Sequence, residues 1–397
     1  MGHIQHASVA ISLLAAFCGL AAAQEKIKIG FITDMASNYA DADGKNGALA
    51  IQMAIDDFGG KVLGKPIELL TADHQQKADV AVSKARDWID NQGLTMLVGG
   101  TNSSVALALA KLAADKKRVY MVNGAGTSLL TNEQCSPYTV HYAYDTVALA
   151  KGTAGAIVDQ GGKDWFFLTV DYAFGTAMEK DAAKVIEAKG GRVLGSVRHP
   201  INASDFSSFL LQAQNSKAKI LALANGGGDT INAVKAAKEF GIDKTMKMAA
   251  MMIFITDIQG LGLKTAEGLM FTTSWYWDLN EQTRAFGRKF FAKTKRMPSD
   301  LQAADYSSVM TYLKAVQAAQ TTDADAVMAK IKSTPVNDFY GQGRVRPDGR
   351  FAHDMYLMQV KAPAESKEPW DYFKLLGKLP PEQVWTTKAE SKCALWQ

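Results

Sequence analysis

The residues of this chain best suited to chemistry lie in two short loops rich in small hydrogen-bonding side chains. Gly99-Gly100-Thr101-Asn102-Ser103-Ser104 follows one apolar run and opens a helical stretch. Asn123-Gly124-Ala125-Gly126-Thr127-Ser128 follows the next apolar run. Loops at the carboxyl ends of parallel strands present backbone N–H groups, and helix starts add partial positive charge. Serine and threonine hydroxyls add donors with little bulk, which suits a carboxylate better than a large cofactor. The competing use of Ser103, Ser104 and Thr127 is helix capping. Two adjacent loops of the same chemistry favour anion binding.

The second loop nearly matches a dinucleotide fingerprint, with Gly124-x-Gly126 and then Asp145 about 20 residues on. Leu129 stands where the third glycine belongs, and the loop follows the fourth predicted strand instead of the first. A dinucleotide is therefore not expected. Bond-making chemistry is equally unsupported. His3, His6, His74, His141, His199 and His353 are scattered, with no spacing suited to zinc. There is no G-x-S-x-G elbow and no cysteine beside a plausible base. His74 and His141 fall near strand ends, where a satisfied structural histidine is the simpler reading. The expectation is a binding protein with no cofactor, no metal and no catalytic residue.

Aromatic residues cluster in the loops of the second half. Asp171-Tyr172-Ala173-Phe174-Gly175 follows the run WFFLTV, and Trp275-Tyr276-Trp277 follows Phe271. Asn225-Gly226-Gly227-Gly228-Asp229 follows residues 220–224. Aromatic walls facing hydroxyl-lined loops would hold an organic solute with an apolar body and a polar end. Ordinary core packing is the alternative for any single ring.

These loops need elements to hold them. Residues 26–32 alternate apolar and basic side chains, a loop runs from 34 to 44, and 48–58 has helical spacing. The pattern repeats as strand 66–71, helix 78–89, strand 95–98, helix 105–114 and strand 118–122. It resumes from Trp165 to about Leu269. Helices between successive strands imply crossovers, hence mostly parallel sheets covered on both faces. The fold class is α/β, with two Rossmann-like sheets and no flexible linker between them. Past Leu269 helices are expected at 282–294, 303–319 and 324–332. A turn at Pro347-Asp348-Gly349 and an alternating run 354–360 come next. Residues 363–397 read as an extended tail packed on the surface.

Composition sets the compartment. Residues 9–20 (VAISLLAAFCGL) are apolar and lead to Ala21-Ala22-Ala23 and then polar residues. That pattern reads as a secretory signal cleaved after Ala23 and is shorter than the roughly 20 apolar residues a membrane span needs. The rest, 47% apolar overall, suits a soluble globular protein long enough for two domains. The net charge of +4 is mild and its lysines and arginines are interspersed with acids, so nucleic acid is not an expected partner. Cys135 and Cys393 remain after cleavage. In an oxidising compartment the pair reads as a disulfide, two buried thiols being the alternative.

Taken together, KIKIGFITDM, VGGTNSS, NGAGTSLLT, DYAFG, LANGGGD, the Trp-Tyr-Trp-Asp loop and RVRPDGR occur in an order that resembles a known family. It is the periplasmic solute-binding proteins of branched-chain amino acid (leucine/isoleucine/valine) type ABC importers. The resemblance covers essentially the whole mature chain. The tail resembles a subgroup from metabolically versatile soil bacteria, and there it supports a Cys135–Cys393 disulfide. It implies a type 1 periplasmic binding protein fold, two lobes with a three-crossing hinge around a solute cleft. The first lobe would be 24–143 with about 278–336, and the second about 144–277 with about 337–362.

The resemblance also implies site roles. Ser103, with Ser104 beside it, and the backbone and hydroxyl groups of Ala125, Gly126 and Thr127 would hold the ligand carboxylate. Tyr172 and Phe174 would close rings over the ligand, and Asn225 would reach the cleft from the second lobe. The loop from Ser37 to Tyr39, with Trp275 and Tyr276, would add walls. Amino-acid-binding members place an acid for the ligand ammonium just after the strand that here reads KMAAMM. This chain has Ile253-Phe254-Ile255 there, with Asp257 later. A buried ammonium without a carboxylate is costly, which favours an aromatic or other organic acid, or an amide, over an α-amino acid. Asp257, Asp229 or Asp278 could compensate. The expected partner is an inner-membrane ABC permease and the expected state a periplasmic monomer. A sensory subunit presenting bound solute to a receptor, or a periplasmic enzyme, would be the rival readings.

Overall fold

The computed structural model describes residues 25–397. The apolar stretch 9–20 and the cleavage point after Ala23 lie outside the described residues. Among the described residues no helix is long and apolar enough to cross a membrane.

Strand β1 (Ile27–Thr33) leads into helix α1 (Gly44–Asp57), then β2 (Lys61–Val62) and β3 (Lys65–Asp73). After them come α2 (Ala78–Gln92), β4 (Leu94–Gly99), α3 (Ser103–Asp115), β5 (Val119–Val122) and β6 (Thr139–His141). These strands form one sheet in the order β2-β3-β1-β4-β5-β6, parallel apart from the β2–β3 hairpin. Thr33 pairs with Asp73, Ile32 with Gly99, and Gly99 with Val122. The strands therefore end at one level, and the loops that follow them crowd together along one edge. Helix α1 starts four residues before the predicted position. Gly44 and Gly47 carry no apolar signal there, yet they let α1 run close to its neighbours.

The second lobe begins with α4 (Thr146–Leu149), a π-helical turn (Ala150–Ala154) and α5 (Gly155–Asp159). It continues through β7 (Asp164–Val170), α6 (Ala173–Ala188), β8 (Arg192–His199), α7 (Ser207–Asn215), β9 (Ile220–Ala224) and α8 (Gly228–Glu239). Then follow β10 (Lys247–Ala250), α9 (Ile255–Leu261), α10 (Leu263–Ala266) and β11 (Met270–Thr273). The central strands β7 and β9 are near-continuous apolar runs, as strands covered on both faces must be. The edge strand β8 instead alternates exposed and part-buried positions.

Helices α11 (Glu281–Thr294), α12 (Asp300–Ala319) and α13 (Ala324–Ser333) come next, with α12 packed along α1. A short antiparallel sheet of β12 (Val336–Asn337), β13 (Gln342–Val345) and β14 (Phe351–Ala352) carries the turn expected around Pro347-Asp348-Gly349. Beyond it, β15 (Met355–Val360) and β16 (Phe373–Leu379) complete the second sheet in the order β16-β15-β11-β10-β9-β7-β8, and α14 (Pro381–Val384) follows. The sequence reading assigns 337–362 to the second lobe as one block; in the structure this block divides. Arg350 bridges to His141 of β6 in the first sheet, whereas β15 pairs with β11. The tail is likewise more than a surface strap, since β16 pairs with β15 and Trp385 is buried.

The chain crosses between lobes near residues 142–145, 274–280 and 353–354. Polar groups bind these crossings to one another. The Tyr340 hydroxyl donates to Ser274 Oγ at 2.9 Å, and Trp385 Nε1–H donates to the His353 carbonyl at 2.7 Å. His353 Nε2 lies 3.0 Å from the Ala143 carbonyl. Burial pushes the His353 imidazole down to about 4, so it is neutral at physiological pH.

Cys135 and Cys393 are bonded across 258 residues of sequence, with Cα atoms 5.7 Å apart. Cross-linking so long a loop restricts the unfolded chain. Replacing both cysteines by serine is expected to lower unfolding free energy by roughly 2–5 kcal/mol, read as a lower urea midpoint.

Candidate functional site

The first lobe offers hydrogen-bond donors at its strand ends. Asn102, in extended conformation, caps α3: its Oδ1 accepts from Ser104 N–H at 2.9 Å and Val105 N–H at 3.2 Å. Ser103 is thereby released from capping. Its Oγ accepts from Thr127 N–H at 3.2 Å, joining the two loops and leaving its own proton to donate. Thr127 Oγ1 accepts from Leu129 N–H at 3.4 Å, so this residue does cap, at the start of the 3-10 turn Ser128–Thr131. The backbone N–H groups of Ala125 and Gly126 find no acceptor among the described residues. Ser103, Ala125 and Thr127 are almost fully buried, and an unpaired buried N–H is rare unless something outside the chain accepts from it.

The carbonyls of the same loop are fixed. The Tyr144 hydroxyl donates to Gly124 C=O at 2.8 Å, and His141 Nε2 lies 2.6 Å from Ala125 C=O. His141 Nδ1 lies 2.5 Å from Arg350 Nη2, which can only donate. Nδ1 therefore accepts, and the proton sits on Nε2, directed to Ala125. Burial, with the adjacent guanidinium, holds the His141 imidazole well below its usual range. Arg350 in turn reaches Asp145 Oδ2 at 3.0 Å and stacks 4.5 Å from the Trp385 ring. The hinge and the ligand loop are thus connected atom by atom.

The second lobe closes onto this surface. Tyr172 and Tyr39 share a hydrogen bond between hydroxyls at 2.7 Å. Asn38 Nδ2 donates to Gly226 C=O at 3.0 Å, and Asp229 N–H donates to Asn38 Oδ1 at 2.9 Å. Two glycines permit the approach. A Cβ on Gly126 would lie 2.9 Å from the Phe174 ring and 3.0 Å from the Tyr144 ring. At Gly227, with φ of +60°, it would lie 2.2 Å from the Asn38 carbonyl. The buried rings of Tyr39, Tyr144 and Phe174 therefore meet where the two lobes touch.

Other predicted residues have different duties. Asn225 bonds inside the second lobe: its Nδ2 lies 3.0 Å from His199 Nε2 and its Oδ1 accepts from Thr230 Oγ1 at 2.7 Å. Trp275 donates to the Phe339 carbonyl at 3.1 Å and packs on Phe286 and Phe339. The Tyr276 hydroxyl donates to the Trp370 carbonyl at 3.1 Å, and its ring packs on Phe373. These contacts tie Trp275 and Tyr276 to the helical layer and the tail, a use their loop position did not reveal. Ser104 stays part-exposed.

The acids that might balance a ligand ammonium are also occupied. Asp278 pairs with Arg284 at 3.0 Å, and Asp229 accepts from the N–H groups of Asn202 and Ala203. Asp257 accepts from Phe254 N–H at 2.9 Å, and its burial raises it to about 7. Met251, Met252, Ile253 and Phe254 form a buried apolar stretch after β10.

A cavity of about 920 Å³ lies elsewhere, between α6, the π-helical turn and the tail. Another of about 660 Å³ lies outside Tyr39, against the starts of α8 and α9. Neither is lined by Ser103, Ala125 or Thr127, so the converging donors, and not the cavity sizes, locate the site.

Residues 26–367 match the family described as periplasmic binding protein. The chain belongs to that family. A periplasmic binding protein from Burkholderia mallei is 64% identical, with a TM-score of 0.93 over 94% of this chain and 100% of its own. A branched chain amino acid ABC transporter periplasmic ligand-binding protein from Burkholderia xenovorans is 39% identical, with a TM-score of 0.83 over 94% and 100%. A solute binding protein of ABC transporter from Rhodopseudomonas palustris, in complex with 3,4-dihydroxy benzoic acid, is 23% identical. Its TM-score is 0.82 over 90% of this chain and 98% of its own, a likeness of fold. The chain is a periplasmic binding protein of an ABC transporter.

Several residues of this binding protein's site escaped sequence reading. Asn38 and Asn102 stood within loops already marked, and their capping chemistry was a usable signal. Arg350 had none, being 205 positions from Asp145. Replacing Arg350 by methionine keeps most of the volume but leaves Asp145 buried without its partner. The expected loss is about 3–5 kcal/mol, measured by urea unfolding.

Proposed function

We propose that this binding protein captures a small organic acid lacking an α-ammonium, above all an aromatic carboxylate, and delivers it to an inner-membrane permease. The observation that carries the reading is the buried pair of N–H groups at Ala125 and Gly126, beside the Ser103 hydroxyl, with no protein acceptor. A carboxylate supplies acceptors for all three, and charge-assisted bonds are the strong ones. Thr127 orders the loop and Ser104 flanks it. Tyr39, Tyr172 and Phe174 serve as ring walls, while Asn225, Trp275 and Tyr276 support those walls from behind.

An α-amino acid fits poorly. The stretch Met251 to Phe254 is apolar, and Asp229, Asp257 and Asp278 already hold other groups. The relative from Rhodopseudomonas palustris with a dihydroxybenzoic acid supports the aromatic class. Transport is preferred to sensing because the relatives named for a role are transporter components. The reading includes export with cleavage after Ala23, a monomer in the periplasm, and lobes that exchange at the three crossings. Solute favours the closed form only to the extent that it contacts both lobes.

The test is a thermal-shift screen of ligand-free protein with benzoate, 4-hydroxybenzoate, aliphatic acids and leucine. A binder at a hundred times its dissociation constant stabilises by about 2.7 kcal/mol. Stabilisation by an aromatic acid and none by leucine is expected; the reverse result overturns the ligand class. Ser103→Ala should weaken binding by about 1.5–3 kcal/mol, roughly ten- to hundredfold, with unchanged unfolding. Undiminished affinity in calorimetry would remove Ser103 from the site.

A further inference from the structure

Beneath the carboxylate loops lies a pair of acids with no role in ligand contact. Asp43, just before α1, and Asp305, on α12, are both fully buried. Asp43 Oδ2 accepts from the Thr33 hydroxyl at 2.5 Å, and Asp305 Oδ1 accepts from Asn123 Nδ2 at 2.7 Å. The other two oxygens, Asp43 Oδ1 and Asp305 Oδ2, have no donor from any other described residue. Both lie within 2.6 Å of the place where a Cβ on Gly47 would stand, so the two carboxyl groups face each other across Gly47. Two ionised carboxylates have no proton to share. We infer that Asp305 carries a proton on Oδ2 and donates it to Asp43, and that this protonated pair positions the two loops that bind the solute carboxylate.

The direction of the network supports the assignment. Gln76 N–H donates to His74 Nδ1 at 3.0 Å, so the proton of the neutral imidazole sits on Nε2, which faces Thr101 Oγ1 at 3.1 Å. Thr101 also accepts from Asp34 N–H at 3.1 Å, and Thr33 Oγ1 lies 3.1 Å from Thr101 Oγ1. Thr33 then donates to Asp43. The Thr33 hydroxyl and the Asn123 amide donate to the outer oxygens of the pair and no donor from another described residue reaches the two facing oxygens, so a proton between them must come from the pair itself. Asn123 joins it to the loop of Ala125 and Gly126, and Thr101 joins it to the loop of Ser103.

The charged and titratable groups facing the pair make a second ionisation costly. Asp34 contributes negative charge from the loop after β1. Tyr120 of β5 and Tyr144 of the first crossing feel Asp43 and are neutral, their hydroxyls pushed upward mainly by burial. Burial lowers the His74 imidazole to about 4, so α2's side offers no cation. Burial raises Asp43 to about 6, and burial with the neighbouring charge raises Asp305 well above the carboxylate range. A folded-state value above the unfolded one means the folded protein binds more protons. The pair's stabilisation is present below about pH 3.9 and is lost as pH rises through the folded values.

The substitution Asp305→Asn tests this without needing the solute. Its amide oxygen can accept from Asn123 and its amide nitrogen can donate to Asp43, with no proton to lose. Infrared difference spectra at neutral pH should show a protonated-carboxyl band in the wild type that Asp305→Asn removes. In amide-resolved NMR, the Ala125 and Gly126 signals should shift between pH 5 and pH 9 in the wild type and stay fixed in Asp305→Asn. The alkaline fall in melting temperature should shrink in the variant. If Asp305→Asn fails to fold, Asp43→Asn and the wild-type infrared titration carry the test. A wild-type protonated-carboxyl band that Asp305→Asn leaves unchanged, or loop signals that titrate alike in both proteins, would overturn the inference. Failure of the solute screen alone would leave it standing.

Discussion

The closed arrangement depends on one buried cation. Arg350 is fully buried, paired with Asp145 and stacked on Trp385. A charge in that environment is tolerable only with its partners in place, and those partners come from different parts of the chain. Asp145 belongs to the first crossing, His141 to the end of β6, and Trp385 to the tail. Because any displacement would strand the charge, the crossings keep a fixed relation to one another. The same side chain fixes the tautomer of His141 and, through it, the Ala125 carbonyl. Hinge geometry and ligand-loop geometry are therefore two ends of a single hydrogen-bonded path.

That path explains how small contacts become a conformational signal. The first lobe presents the N–H groups of Ala125 and Gly126 and the Ser103 hydroxyl, while the carbonyls of Gly124 and Ala125 are already committed. The second lobe brings the rings of Tyr172 and Phe174, with Asn225 and His199 paired behind them. Under the proposed reading, an acceptor held between the lobes would be shielded from water and its bonds strengthened. Asn38, reaching across to Gly226 and Asp229, adds direct bonds between the lobes. The glycines at 126 and 227 matter because a side chain at either position would hold the lobes apart.

Charge is managed by the same logic throughout the interior. Asp229, Asp257 and Asp300 are buried, and each is raised to about 6 or 7 mainly by burial while hydrogen bonds counteract it. His74 and His353 are held neutral by the same desolvation.

The sequence alone determined a great deal. Alternation of apolar strands with helices, the two hydroxyl-rich loops, the cysteine pair and the ordered motifs all lie in local pattern, and the α/β fold with its two sheets follows from them. It also exposed the missing acid after β10, because an absence at a marked position is as legible as a residue. Local pattern could not say which of several similar side chains face the cleft. Asn225, Trp275 and Tyr276 have cleft-like positions in sequence, yet their atoms are consumed by partners such as His199, Phe339 and Trp370. Arg350 with Asp145, and Asp43 with Asp305, are meetings of residues hundreds of positions apart. Only tertiary structure decided them, because burial and hydrogen-bond satisfaction are properties of the packed interior and no single segment contains them.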